Sequence, residues 1–460
     1  MTRRCTLPGD AIPQYVPAVG DTEQAAIHRD YLGFLSDVAA QCGAIGQYHR
    51  GNSPVVLVNT PELVHALLID RAADLTKGSL AHSAFRALLG ESLSMSEGDR
   101  HHRLRRLLAP LFSRRHIARY ANRIVRVADT ICASWTDHAD VDLFADLHRL
   151  TLHTLGHALI AEPALWAETG QFWQARERLW QWINSLAGER RGLADPATGA
   201  LDTQVAVAIA AVRNAVDQII HDRRCRPPRQ DDLLADIVDA TERAAQRLDP
   251  AEIRDQVIAL LFAAHETSAA ALFWSLYLLA GHPTVLRRVE QELDCVLARR
   301  LPELADLAAL PYTMQVAREA MRLYPPAARQ FRVAVRDTTL AGHPIAEGMP
   351  VSVCHYVLHR SAVSFSEPDR FAPERFAPDA PPRHPLSYLP FGAGERTCLG
   401  RHYAMQEIHL LLAMLVSRFQ FTFPEAVSPQ LAVTLRPDTG VQVQIRHRPH
   451  HGCQPYGTGP

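Results

Sequence analysis

No two of the chain's eight cysteines are spaced CxxC. They stand at Cys5, Cys42, Cys132, Cys225, Cys295, Cys354, Cys398 and Cys453, a scatter that argues against a zinc ribbon and against a disulfide framework. The amino terminus, MTRRCTLPGDAIPQYVPAVG, has basic residues but lacks the apolar run that a secretory signal or membrane anchor needs, which points to a cytoplasmic protein. Neither charge is in excess. Lys+Arg number 48 against Asp+Glu 49, a net charge of -1, so the overall balance gives no sign of a nucleic-acid partner or a membrane surface. Internal repeats and Gly/Ser or charged linkers are also missing, which favours one large domain although 460 residues would suffice for two or three. With 47% hydrophobic and 21% charged residues, the composition is that of a globular protein able to bury a sizeable core.

One stretch, Val257 to Ala280, is apolar and long enough to cross a bilayer. It carries His265, Glu266, Thr267 and Ser268 at its centre, and a carboxylate at mid-bilayer costs roughly 2.5 to 3.5 kcal/mol, so a helix through a protein core is the better reading. Asp249 as N-cap, Pro250 in the first turn, Glu252 after it, and Gly281 with Pro283 at the stop delimit one helix. Its length is about 31 residues, or about 46 Å. Such a helix crosses a whole domain and carries a site at its middle.

Around it the pattern changes along the chain. Up to Leu75, turn residues mix with a β-like run, Val55 to Val58, and a helix opening at Thr60-Pro61-Glu62. From Asp99 to Tyr324 helical periodicity dominates. Between Pro325 and Pro390, prolines and glycines interrupt short β-like runs, Val333 to Val335 and Pro350 to Val353, before a final helix, Arg401 to Phe419, and a last strand, Val441 to Ile445. The expected organisation is an N-terminal arm (1–29), a single domain (30–446) and a polar, disordered tail (447–460).

The strongest chemical signal is FGAGERTCLGRHYA, Phe391 to Ala404, in which glycines flank Cys398 and a helix follows at once. A metal-ligating thiolate needs this setting, because a helix N-terminus and nearby N–H groups favour the sulfur's negative charge and glycines let the backbone approach a flat macrocycle. An inert buried cysteine and a phosphate cradle are the competing readings. The second is weakened because no Lys-Ser/Thr follows and no GxGxxG is present. Glu319 and Arg322, in REAMRLYPP, sit three apart on one helical face and by themselves read as a surface ion pair.

The run resembles the cysteine loop of the cytochrome P450 family, FxxGxRxCxG, with Phe391, Gly394, Arg396, Cys398 and Gly400 in its fixed positions. The resemblance covers roughly residues 30 to 446 and implies a mainly α fold with small β-sheets, one large domain and a long central helix. It implies haem b with Cys398 as the iron ligand, and a structural trio of Glu319, Arg322 and, in FAPERF, Arg375. AAHETS, Ala263 to Ser268, resembles the segment over the distal face, with Ala264 where glycine is common; Glu266 and Thr267 would relay protons during oxygen activation. That Thr267 merely bonds back into its own helix is the alternative. Ala263, Thr267, Phe391, Gly392 and Gly400 would contact the macrocycle. Its propionates would meet Arg332, Arg396 and the pair His102 and Arg106, or, one register earlier, His101 and Arg105.

The resemblance also implies a reaction and its partners. The expected activity is a monooxygenase inserting one oxygen atom from O2 into a hydrophobic small molecule, by hydroxylation or multistep oxidation, with a terpenoid or other secondary-metabolite intermediate ahead of a fatty acid or polyketide. A peroxide-using or rearranging member of the family, or a non-enzymatic haem sensor, is the alternative. With about sixty residues after Cys398, no fused electron-transfer module is expected, so electrons would come from a ferredoxin and an NAD(P)H-dependent reductase. The basic concentration of Arg100, Arg103, Arg105, Arg114, Arg115 and Arg401 would receive the donor, since too few aromatics are interleaved for nucleic acid. Candidate pocket walls are Ala84, Phe85, Leu88, Leu89, Leu260, Ala263, Ala264 and Ala327, with Phe172, Trp173, Trp180 and Trp182 as either core or pocket.

Overall fold

The central apolar stretch folds as two consecutive helices rather than one. In this computed structural model, which describes residues 11–17, 22–78, 80–161, 174–175, 178–179, 203–225, 232–243, 247–424, 426–438 and 440–449 (side chains at 24, 28 and 80–84 excepted), six helices position the site. They are α1 (Gly98–Leu108), α2 (Leu143–Leu159), α3 (Pro250–Ala263), α4 (Glu266–Gly281), α5 (Pro311–Leu323) and α6 (Arg401–Arg418). The tail from 450 onward, and Phe172, Trp173, Trp180 and Trp182, lie outside the described residues, as does the Ala84 side chain.

The start of α3 follows the expected chemistry. Asp249 accepts from the backbone N–H of Glu252 at 2.7 Å and the Glu252 carboxylate accepts from the N–H of Asp249 at 3.2 Å, a reciprocal cap with Pro250 at the first position. The run then breaks at Ala264 and His265. The His265 ring donates from Nδ1 to the carbonyl of Leu261 at 2.8 Å, the acceptor that its own backbone N–H would use in an unbroken helix. Thr151 of α2 donates to the His265 carbonyl at 2.9 Å, fixing the break from outside. Whole, the stretch Pro250–Gly281 is apolar enough to span a membrane, yet 78% of its most apolar window is buried within the protein.

α4 is apolar on every side because it is surrounded. Ala269 to Trp274 are all buried, Trp274 stacks on Tyr324 with ring centroids 4.1 Å apart, and its indole N–H donates to the Leu435 carbonyl at 3.0 Å. Burying each large side chain here contributes roughly 1.5 to 3 kcal/mol. Around α4 pack α2, α5 and α6, and the buried residues of α6 form an almost unbroken run from Gln406 to Val416.

The β structure lies to one side. A five-stranded sheet has the order β1 (Ile45–Arg50), β2 (Ser53–Val58), β6 (Pro350–Cys354), β5 (Arg329–Ala334) and β3 (Leu75–Thr76), with β2 and β6 parallel and the other neighbours antiparallel. β4 (Ala139–Asp142) pairs with β10 (Gln442–His447), which also pairs with β7 (Phe419–Thr422). β8 (Pro429–Leu431) and β9 (Leu435–Pro437) form a separate hairpin. β4 interrupts the region expected to be purely helical: ADVD is acidic and carries one apolar residue pair at most, so its extended form is set by pairing with β10, about 300 positions away in sequence, rather than by local propensity. Part of the expected arm is laid on β1, with Tyr15 N–H donating to Gln47 O and Gln47 N–H to Pro13 O, both at 2.8 Å. Of the described cysteines, Cys42, Cys132, Cys225, Cys354 and Cys398 are free, as most were expected to be, whereas Cys295 is disulfide-bonded.

Candidate active site

The loop before α6 is shaped by two glycines. Gly392 and Gly394 have φ of 67° and 70°, and a Cβ on Gly394 would come within 2.3 Å of the Leu68 carbonyl oxygen, so a side chain is excluded twice over. Cys398 N–H donates to Phe391 O at 2.9 Å and closes the loop. Cys398 is exposed as a residue, yet its sulfur is set among protein atoms. Burial pushes the thiol up, while the N–H groups of Gly400 and Arg401 and the charges of Arg105 and Arg401 pull it down. These N–H groups belong to the start of α6, where partial positive charge suits a thiolate.

Beside the cysteine lies a ring of cations. His101, only 2% exposed, is driven down to about 4 by burial and then by Arg396, with Lys77 and Arg105 adding to the effect and Glu395 opposing it. Arg332 is buried and its pKa is lowered by burial and by Arg396; Arg105 is lowered by burial and by Arg401 and Arg396. Lys77 is lowered to about 8 by burial, Arg396 and Arg332. Arg396 donates to Ser96 O at 2.6 Å and pairs with Glu97. His101 Nδ1 is a buried atom without a hydrogen bond, and so is Nε2 of Gln330, two residues before Arg332 on β5 and with its side-chain oxygen facing Gly392.

On α1, burial separates the two possible registers. His102 is exposed and bonded to Glu395 at 3.0 Å, and Arg106 is exposed; His101 and Arg105 are the pair that turns toward Arg396 and Cys398. Both registers place a histidine four residues before an arginine, so spacing could not separate them; burial does. Lys77 was missed because it stands alone after β3, with no motif to mark it. The basic concentration is also narrower than expected. Arg100 and Arg103 bond the Glu252 carboxylate at 2.8 and 2.6 Å and tie α1 to α3, which leaves Arg114, Arg115 and Arg401 exposed. We expect His101→Leu to weaken haem retention markedly and His102→Leu to leave it nearly unchanged, measured as haem transfer to apomyoglobin; equal rates would restore the other register.

At the break between α3 and α4, Ala263 is exposed and Ala264 and Thr267 are half-buried. The Thr267 hydroxyl donates to Ala263 O at 3.1 Å, the back-bonded arrangement. Glu266 is buried and accepts from the Thr434 hydroxyl. Acid and alcohol are thus neighbours in the chain whose side chains are each engaged elsewhere. Of the pocket candidates, Leu88 and Leu89 are buried, Phe85 and Leu260 half-buried, and Ala327 exposed. A separate cleft of about 530 Å3 between the helix Thr203–Cys225 and α3, lined by Asp217, His221, Arg224, Asp249 and Arg254 among others, shares no residue with this site and is too charged for an apolar ligand.

Glu319, Arg322 and Arg375 meet in the core. Arg322 donates to both Glu319 oxygens, at 2.7 and 2.8 Å, with both side chains fully buried, and Arg375 Nε reaches Glu319 at 3.3 Å. A further buried acid had no motif to announce it. Glu407, nine residues after Cys398, accepts from Thr154 of α2 at 2.7 Å and Tyr403 at 3.3 Å, and burial pushes it up to about 7 against the hydrogen bonds of Thr154, Ser268 and Tyr403. Its ordinary value is 4.5, so the folded state binds the extra proton and stability falls as pH rises from about 4.5 to about 7, then levels. The loss is roughly 3 kcal/mol. Glu407→Gln is expected to gain thermal stability over the parent progressively between pH 5 and pH 8; a difference independent of pH would show that this carboxyl does not titrate there.

The residues around Cys398 fit a haem: a sulfur at a helix start, glycines that permit close approach, and crowded cations with bare donors that two propionates would satisfy. Comparison with known proteins agrees. The family model described as Cytochrome P450 matches residues 11–444. Cyclooctat-9-en-7-ol 5-monooxygenase of Streptomyces melanosporofaciens is 32% identical over 415 residues, 89% of this chain and 88% of that protein. Pentalenene oxygenase of Streptomyces avermitilis is 30% identical over 420 residues, 89% of this chain and 90% of that protein. Among solved structures, the crystal structure of the cytochrome P450DA heme domain aligns with a TM-score of 0.84 at 25% identity, covering 96% of this chain and 99% of that one.

Proposed function

The chain belongs to the cytochrome P450 family and is a haem-dependent monooxygenase acting with O2 on a hydrophobic substrate, and on that premise we propose that it hydroxylates a terpenoid hydrocarbon or alcohol, in one step or by repeated oxidation at one carbon. The reaction class rests above all on Cys398, whose sulfur is met by the N–H groups of Gly400 and Arg401 beside the cation ring. The substrate class is supported by relatives named for cyclooctatenol and pentalenene oxidation and by the small apolar residues Leu260, Ala263, Ala264 and Ala327. Residues 30–446 are taken as the catalytic domain, with 1–29 as an arm and 447–460 as a tail, in a cytoplasmic protein whose apolar central stretch is packed inside.

Cys398 would ligate the iron of haem b, which when bound would supply the activation of O2 and the transfer of one oxygen atom. His101, Arg105, Lys77, Arg332 and Arg396 would hold its propionates. Phe391, Gly392, Gly400, Ala263 and Thr267 would contact the macrocycle. Glu266 takes protons delivered from solvent and Thr267 passes them inward through its hydroxyl. A redox partner is required; an acidic ferredoxin docking on Arg114, Arg115 and Arg401 suits the charge.

The test is incubation of the purified holoenzyme, with a surrogate ferredoxin and reductase, against sesquiterpene and diterpene hydrocarbons and medium-chain fatty acids. A terpene should shift the Soret band to the blue and yield a product one oxygen atom heavier at the expense of NADPH. Turnover of fatty acids alone would move the substrate class. Haem binding with no NADPH-dependent product from any of them would favour a sensor.

A further inference from the structure

The acid of the relay is held by a part of the protein that no motif connects with it. Thr434 donates to Oε1 of Glu266, and both residues are buried. Thr434 sits on the turn between β8 and β9, where Ala432 N–H donates to the Thr434 carbonyl at 3.1 Å. The end of this hairpin is pinned at two further points. Leu435 N–H donates to Pro326 O at 2.8 Å, and Leu435 O accepts from the Trp274 indole of α4 at 3.0 Å. Ala432 and Val433 remain half-buried on the turn, and the exposed Ala327 follows Pro326 directly. The hairpin turn and two of the proposed substrate walls, Ala327 and the break of the central helix, thus belong to one connected arrangement.

In this state each partner of the relay is bonded to another group. The Thr267 hydroxyl donates to Ala263 O and the Glu266 carboxyl accepts from Thr434, so a proton passes from Glu266 to Thr267 only after both bonds are exchanged. We infer that Thr434 is a positioning residue that latches Glu266 to the β8–β9 turn, and that a substrate seated against Ala432 and Val433 releases the carboxyl toward Thr267. The proton moves from the Glu266 carboxyl to the Thr267 oxygen while the Thr267 proton passes to the oxygen of the co-substrate O2 that electrons from the redox partner reduce, and solvent replaces the one lost by Glu266. This rests on the reading of Glu266 and Thr267 as the relay.

The latch predicts leakage when it is removed. With the haem-loaded protein, a surrogate ferredoxin and its reductase, and no organic substrate, Thr434→Val should raise NADPH oxidation and hydrogen peroxide release roughly 10-fold, the population shift that losing one hydrogen bond allows. Thr434→Ser, which keeps the hydroxyl, should stay near the parent. Glu266→Gln/Thr434→Val should show no rise, because the acid that leaks is gone. Glu266→Asp shortens the carboxyl away from Thr434 while keeping the acid, and should leak as Thr434→Val does, which covers the case of a Thr434 variant that loses haem. Parent-level oxidation in both Thr434→Val and Glu266→Asp overturns the latch, as does a rise that persists in the double variant. The relay itself is judged separately: Glu266→Gln should lower product formed per NADPH with a terpene that the parent converts, and if it does so while Thr434→Val stays silent, the latch alone has failed.

Discussion

Cys398→Ser is expected to abolish the strongly red-shifted Soret band of the reduced protein under carbon monoxide and to remove NADPH-dependent turnover. The loss should exceed the roughly 10- to 100-fold cost of deleting an outer partner of a metal ligand. The reasoning starts from the environment of the sulfur. Burial raises the Cys398 pKa, and the N–H groups of Gly400 and Arg401, with Arg105 and Arg401, only partly offset that rise. A serine oxygen in the same place meets the same donors but remains protonated, since a hydroxyl is far weaker as an acid than a thiol, and so offers the iron a neutral, hard ligand. The loop itself should survive, because its shape comes from Gly392, Gly394 and the Cys398 N–H to Phe391 O bond, none of which involves sulfur. Far-ultraviolet circular dichroism should therefore match the parent. A parent without haem, or one with an imidazole-type spectrum indifferent to the substitution, would overturn the assignment of Cys398.

The parts of this protein that were legible in its sequence are those in which local chemistry and final position coincide. The Asp249 cap, the opening of a helix at Thr60, the glycine loop and the Glu319–Arg322 spacing each satisfy their own backbone or side-chain needs within a few residues. What escaped depends on contacts distant in sequence. The central helix reads as continuous because nothing in AAHETS forbids it; the break involves the His265 ring and a hydroxyl from Thr151, 114 positions earlier. The two registers of the propionate pair read alike because His101 and His102 are chemically identical until one is buried and the other finds Glu395. Thr434 and Glu407 have no signature at all: one reaches Glu266 from a hairpin 168 positions away, and the other meets Thr154 from a distance of 253.

Substitutions in the buried trio should rank by how many partners each side chain leaves behind, with Arg322 the most damaging and Arg375 the least. Besides its two bonds to Glu319, Arg322 donates to the carbonyls of His359, Pro368 and Arg370, at 2.9, 2.6 and 3.1 Å. Arg322→Met thus leaves the buried Glu319 carboxylate with only the longer Arg375 bond and the Ala372 N–H, and takes the donor from the carbonyls of His359, Pro368 and Arg370. Glu319→Gln leaves the Arg322 charge buried but still bonded to those carbonyls, and it weakens the acceptor for the Ala372 N–H at 2.9 Å. Arg375→Gln removes the long bond to Glu319 and the bonds to the Glu367 carbonyl at 2.8 Å and the Ser366 hydroxyl at 3.5 Å, all from a side chain that is partly exposed. Breaking a buried pair costs roughly 3 to 5 kcal/mol. For a chain of this size, with an unfolding entropy of about 2.1 cal/mol/K per residue, that corresponds to a fall in the unfolding midpoint of about 3 to 5 °C for Arg322→Met. Replacing both charges at once, Glu319→Leu with Arg322→Met, should be less damaging than Arg322→Met alone, because the buried carboxylate is then removed together with its main cation, although the three carbonyls still lose their Arg322 donor. Thermal unfolding of the haem-loaded proteins decides the order. A midpoint for Arg375→Gln as low as that for Arg322→Met would mean that the exposed arm of the trio, rather than the buried pair, carries the stability.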